Sequence, residues 1–363
     1  MPSNGVFQIV PGRDDVGGHV FSVIVKRTYR FTADGATARC ESDQPLRLID
    51  EYWDGGDPEW STVQHESELA PYKAVTDVVV IGSAHAPGGV PTERMMVGVR
   101  VGGVEKLLVV TGDRRCVYRD GAPPAFTDPT PFSTMEIRYD RAYGGQDEQS
   151  IAEIPFSYPR NPMGKGVALR NVREAVDGLA LPNVEDPQDL LTPERLLIHE
   201  PERWHLQPLP QGLGWRQRAW YPRSALLGSY PPFLDVGTVT AEEAMGMLPS
   251  DHVALAKQSR LKPFVAHFNN GASFGLMFPD LRGDEPVALG GLSVDGLLQF
   301  RLPGETPDVL LDIGLGPQQP APRLHTVSIR PDDREVDLVW RASVPYEGYD
   351  WLPQMTRLHA EVA

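Results

Sequence analysis

The side chains with the most chemical reach lie just after apolar runs. His85 falls in Gly82-Ser83-Ala84-His85-Ala86-Pro87-Gly88-Gly89, directly behind Val78-Val79-Val80-Ile81. An imidazole delivered to a strand end can act as a general base or contact a ligand, because it titrates near neutrality. The same ring can instead hydrogen-bond its surroundings and fix the loop, which is the simpler role. Asp140-Arg141-Ala142-Tyr143-Gly144-Gly145 follows Met135–Tyr139 in the same way, and its Asp and Arg suit an ion pair and turn support. Asp113-Arg114-Arg115 precedes Cys116. Adjacent cations lower a thiol pKa, yet the alternation of Cys116 with Tyr118 points the sulfur into a sheet. Hydrolytic chemistry would need His85 to converge with Asp113 or Asp140 in one pocket.

Other chemistries lack their parts. Met163-Gly164-Lys165-Gly166 has neither the hydroxyl nor the spacing of a phosphate-binding loop, and reads as a tight turn with an exposed lysine. His199-Glu200 is followed by Pro201, and the next histidine is His205. The proline blocks the helix that would align two zinc ligands. His65 with Glu66 and Glu68 supplies one metal corner that nothing nearby completes. The expectation is therefore no metal and no cofactor.

Those residues must be positioned by strands and turns. Gly and Pro number 35 each in 363 residues, about a fifth of the chain. Proline costs about 3 kcal/mol in a helix interior, which argues against helical bundles and coiled coils. A 41% hydrophobic content with 7 Trp, 11 Tyr and 12 Phe is enough for a large core. Lys+Arg is 34 against Asp+Glu 49, a net charge of −15, which argues against a nucleic-acid binder. Cys40 and Cys116 are no disulfide framework. One bridge is open to them, and two reduced thiols are the simpler expectation. The first residues lack a basic-then-apolar leader, and no run approaches a membrane span. A cytoplasmic protein that meets no membrane is expected.

Alternation marks the strands. In Val20–Phe31, Phe21, Val23, Val25, Tyr29 and Phe31 share one face, and Ser22, Lys26, Thr28 and Arg30 the other, a half-buried pattern. Asp77–Gly82 reads as a strand buried on both faces. Met95–Val101 and Lys106–Thr111 flank Gly102-Gly103, a hairpin signal. Cys116–Arg119 and Met135–Tyr139 are short strands. Near the C-terminus, Leu298–Leu302 and Val309–Ile313 alternate. His325–Ile329 and Val336–Ala342 flank the turn Pro331-Asp332-Asp333-Arg334. The predicted fold is mainly β, with antiparallel sandwich-like lobes at both ends: 1–145, then a Pro/Gly/aromatic-rich connection 146–240, then 241–363. The connection carries Trp204, Trp215, Trp220, Tyr221 and Phe233, so it is expected to be packed. Thr240-Ala241-Glu242-Glu243 is a capping box, and Pro249 then Ser250-Asp251 punctuate one or two short helices near 240–258.

Taken in order, these pieces resemble a known family. Val25–Phe31; Leu69-Ala70-Pro71-Tyr72-Lys73 with Thr76–Gly82 and Ala84–Gly89; Thr111-Gly112-Asp113-Arg114; Pro131-Phe132 with Tyr139–Gly145; Asn161-Pro162-Met163-Gly164-Lys165-Gly166; and Leu181-Pro182-Asn183-Val184-Glu185 are similar to the bacterial domain of unknown function 2169. The resemblance is densest over 20–190 and thins beyond about 235, where Leu338-Val339-Trp340-Arg341 is also similar. It implies a non-enzymatic adaptor or chaperone, often encoded beside type VI secretion genes. Such an adaptor holds an effector, by its N-terminal region, and loads it onto the spike protein. Two other readings stay open: a hydrolase-like enzyme using His85 with Asp113 or Asp140, and a carbohydrate-binding β protein using exposed aromatics such as Trp215 and Trp220. The partner-binding candidates are His85, Asp113, Arg114, Arg141, Trp220, Tyr221 and Arg223, the last three because Trp, Tyr and Arg anchor interfaces. Packing is the competing role for each of those three.

Overall fold

A computed structural model describes residues 6–14, 16–32, 34–70, 72–119, 122–147, 156–169, 176–198, 201–227, 266–279, 281–346 and 358–363. The expected helices near 240–258, and Phe233, lie outside them. Strand makes up 43% and helix 8%, with no helix of seven residues or more among the described residues, so the mainly β expectation holds. No helix among the described residues is long and apolar enough to cross a membrane.

Two sheets face each other. The larger runs in the order Val6–Arg13, His19–Phe31, Glu335–Pro345, Arg323–Arg330, Thr76–Val80 and Met277–Phe278, with Thr37–Arg39 also on His19–Phe31. His19–Phe31 pairs antiparallel with Glu335–Pro345 from Val20↔Pro345 to Arg30↔Glu335, so strands from the two ends of the chain lie side by side. Thr76–Val80 is buried at all five positions, as its apolar run requires. The second sheet has the order Val184–Glu185, Val104–Thr111, Arg94–Val101, Pro286–Gly290 and Leu298–Arg301. Its first hairpin closes at Val101↔Val104 around Gly102, whose φ of +57° suits glycine.

The inner faces share one core. Tyr29, Phe31 and Leu338 of the large sheet join Val99, Leu108 and Phe300 of the smaller, and the Phe31 and Phe300 rings stack at 4.0 Å. Farther along the long strand, Phe21, Val23 and Val25 pack instead on Val309, Leu311 and Val362.

The outer face of His19–Phe31 departs from its half-buried pattern. Ser22, Lys26 and Thr28 are all buried. Segment 43–68 supplies hydrogen-bond partners to Lys26 and Thr28, while Ser22 bonds across the sheet to Ser343 at 2.7 Å. Lys26 Nζ lies 2.7 Å from Glu68 Oε1 and 3.7 Å from Asp337 Oδ2, and the Thr28 amide donates to Asp43 at 2.7 Å. Buried charge is tolerated because it is paired.

The middle connection is packed, as its aromatic content demands. Tyr143, Tyr158, Trp204 and Tyr221 form a chain of edge-to-face rings with centroids 5.1–5.9 Å apart. They anchor a second core of their own. Cys40 and Cys116 are both free thiols, and burial pushes the Cys116 thiol up to about 11.

Candidate functional site

The Gly-Gly and Asn-Pro-Met-Gly-Lys-Gly segments meet. Tyr143–Gly144 pairs in parallel with Lys165–Gly166. The approach is backbone to backbone: a Cβ on Gly144 would stand 2.1 Å from the Asn161 carbonyl, and one on Gly164 2.6 Å from that of Ala142. Gly144 also holds a φ of +150°, so a side chain there is excluded twice over. Asn161 locks the junction by donating its Nδ2 to the carbonyls of Tyr139 (2.7 Å) and Tyr143 (3.1 Å).

These loops form a cleft of about 380 Å³, walled by Gly144, Gly145, Met163, Lys165 and Leu179, with Trp60 at its rim. That volume suits a peptide segment or small ligand. Trp60 is 69% exposed although it is a large aromatic. Beneath the floor, Tyr139, Ala142 and Trp220 form a buried cluster with Met163 packed on it. The Tyr139 and Trp220 rings meet edge to face at 5.6 Å.

Asn183 ties the charged flank together. Its amide donates to the Arg141 carbonyl at 2.7 Å. Its Nδ2 donates to the Thr111 carbonyl and to Asp113 Oδ1, both at 3.0 Å. Its Oδ1 accepts from Lys165 Nζ at 3.1 Å. Lys165 is thus half-buried, in place of the exposed turn lysine expected. Burial first, and then the nearby Arg141 charge, lower its pKa. Arg114 bonds to Glu185 and to the Pro182 carbonyl. Burial still holds the Glu185 carboxyl above its ordinary range, with Arg114 opposing. The Arg141 Nε is buried without a hydrogen-bond partner.

The structure therefore gathers Asp113, Arg114 and Arg141 around the 181–185 segment and separates the other candidates from them. His85 Nε2 shares a 2.7 Å hydrogen bond with Asp332 Oδ1, in the turn of the C-terminal hairpin. That carboxylate, in place of Asp113 or Asp140, is its partner. Asp113 is taken by Asn183, and Asp140 by Arg138 at 3.1 Å. His85 fixes its loop by clasping the hairpin. Trp220, Tyr221 and Arg223 are core residues, 3%, 3% and 0% exposed. Arg223 bonds to the carbonyls of Phe268 and Arg216 and pairs with Glu66 at 2.9 Å. Trp215, at 5%, joins Trp220 inside, so neither offers a stacking platform for a sugar.

Sequence reasoning missed Trp60 and the linking role of Asn183. The signal for Trp60 is a tryptophan stranded in the polar turn Asp54-Gly55-Gly56-Asp57-Pro58-Glu59-Trp60, where no core period claims it. A Gly-x-Ser-x-Gly match at Gly271-Ala272-Ser273-Phe274-Gly275 was also missed. A hydrolase nucleophile on that motif needs a strand–turn–helix elbow that exposes its oxygen. Ser273 is fully buried, is bonded to the Tyr139 hydroxyl and the Gly214 carbonyl, and leads into the strand Met277–Phe278. No group of three or more His, Cys, Asp or Glu able to hold a metal ion occurs among the described residues.

A family model described as an uncharacterized protein conserved in bacteria (DUF2169) matches residues 16–341. No curated protein and no solved structure matches the chain.

Proposed function

The chain belongs to the DUF2169 family of bacterial proteins, and from that premise we propose that it is a non-enzymatic adaptor. It holds a secreted type VI effector in the bacterial cytoplasm, by the effector's N-terminal region, and presents it to the spike protein. The observation that carries this reading is the glycine-walled cleft with an exposed Trp60 at its rim. Exposed tryptophans beside a pocket are the residues that anchor protein partners. Walls built on close backbone packing keep a fixed shape, so little ordering cost falls on binding. The charged flank at Asp113, Arg114 and Arg141 lies next to that cleft, joined to Lys165 through Asn183, and supplies polar contacts around an apolar anchor. Binding of this kind raises the effector's stability by mass action before secretion.

Co-expression with the effector encoded beside the gene tests the proposal. A stable complex is expected, with the effector more soluble in it and chemically unchanged by mass spectrometry. An effector that neither co-purifies nor gains solubility, or that is covalently altered by the chain, would count against it.

A further inference from the structure

The outer face of the five-stranded sheet carries a second surface, which shares no residue with the cleft. Two adjoining troughs of about 370 and 560 Å³ run along Pro286–Gly290, and Arg100, Ala288 and Gln299 line both. Strand register fixes what stands where. In one row, Gly290 lies beside Gly98, and Gly98 beside Leu107, with Leu297 bordering the same trough. Leu107 and Leu297 are 44% and 62% exposed. A Cβ on Gly98 would stand 2.8 Å from Leu107 Cδ2, so Leu107 leans over Gly98 and the open notch lies over Gly290, with Leu297 bordering it. A Cβ on Gly290 would meet nothing within 4 Å, so the fold itself does not require the notch to be empty. In the neighbouring row, Ala288 lies between Arg100 and Gln299. Arg100 is exposed and makes no side-chain hydrogen bond or ion pair among the described residues. Glu105 stands across from it without bonding.

We infer that this face docks an amphipathic helix of a partner protein, one that presents an apolar side chain and a carboxylate about one turn apart. The carboxylate follows from the unpaired Arg100 guanidinium, which offers a planar fork of donors. The apolar side chain follows from the notch over Gly290 that Leu297 borders. Rows on one sheet face are two residues, roughly 6.6 Å, apart, close to the roughly 6 Å rise between positions i and i+4 of a helix. Strands on either side of Pro286–Gly290 stand roughly 9.5 Å apart, near the 10–12 Å diameter of a helix with its side chains. An extended segment laid on this face would leave its backbone polar groups without partners, whereas a helix satisfies its own.

The test uses the full chain and two labelled, stapled helices: one with a leucine stripe and glutamates one turn away, the other with lysines in place of the glutamates. Fluorescence anisotropy is expected to show binding of the acidic helix, weakened about tenfold by Leu297→Ser and about tenfold by Arg100→Glu. Arg100→Glu should at the same time bind the lysine helix better than the acidic one. Gly290→Ala, which adds a methyl without touching the chain, should weaken binding severalfold at an unchanged melting temperature. Absence of binding to the acidic helix, or affinities indifferent to all three substitutions, would overturn the inference. So would self-association of the chain that Leu297→Ser abolishes, since the face would then be covered by a second copy.

Discussion

At the residue scale, the clearest consequence is a buried amine. Lys106 donates its Nζ to the Phe274 carbonyl at 2.6 Å, and burial, with the nearby Arg216 charge, pushes its pKa down to about 7. The unfolded chain keeps that proton up to about pH 10.4, so between the two values the unfolded state binds more protons. Stability therefore rises with pH above 7, by about 1.4 kcal/mol per pH unit from this group. Cys116 acts in the opposite direction only where the unfolded thiol ionises, near pH 8.5 and above, so the useful window is pH 7 to 8.5. Urea denaturation there should show a rising stability for the wild type and a flatter profile for Lys106→Met. Equal slopes would mean that Lys106 is charged in the fold. Nothing in the sequence announces this. Lys106 stands in an alternating strand like any solvated lysine, and its burial depends on Phe274, which reaches it from a distant turn.

At the element scale, the long strand His19–Phe31 and its neighbour Glu335–Pro345 were legible because apolar residues recur at every second position, interrupted only by Arg27 in the first of them. The burial of their polar face was not legible, because segment 43–68 supplies partners to Lys26 and Thr28 without any periodic pattern. That face is held by charge. Burial alone would raise the Asp337 carboxyl, but hydrogen bonding from Arg330 and the Lys26 charge outweigh it and hold it below the ordinary range. Thr28 Oγ1 also donates to it at 2.8 Å. Asp337→Ala leaves Lys26 and Arg330 with less compensation in the interior, and a loss of about 3–5 kcal/mol is expected in chemical denaturation. A loss under about 1 kcal/mol would show that water reaches the cluster and screens it. The same depression of the carboxyl adds stability that is present above pH 4 and is lost as pH falls below it.

At the scale of the whole molecule, two β-sheets and an aromatic middle segment support one cleft. The loops of that cleft were visible in the sequence as glycine-rich motifs, because close backbone contact admits only glycine. Its assembly was not visible: Trp60 reaches the rim from a turn more than eighty residues before Gly144, and Trp220 and Tyr221, suited by type to a contact surface, were needed beneath the floor. His85 was legible as a residue of interest, but its partner Asp332 lies in a hairpin near the other end of the chain, and no spacing rule joins them. The proposed grip of the cleft on a protein partner runs through Trp60. It is tested most directly by isothermal titration of the wild type and of Trp60→Ala with the effector encoded beside the gene. Trp60 is largely exposed, so its removal should leave the melting temperature unchanged while weakening binding at least about tenfold. Equal affinities for the two proteins would show that Trp60 takes no part in the grip.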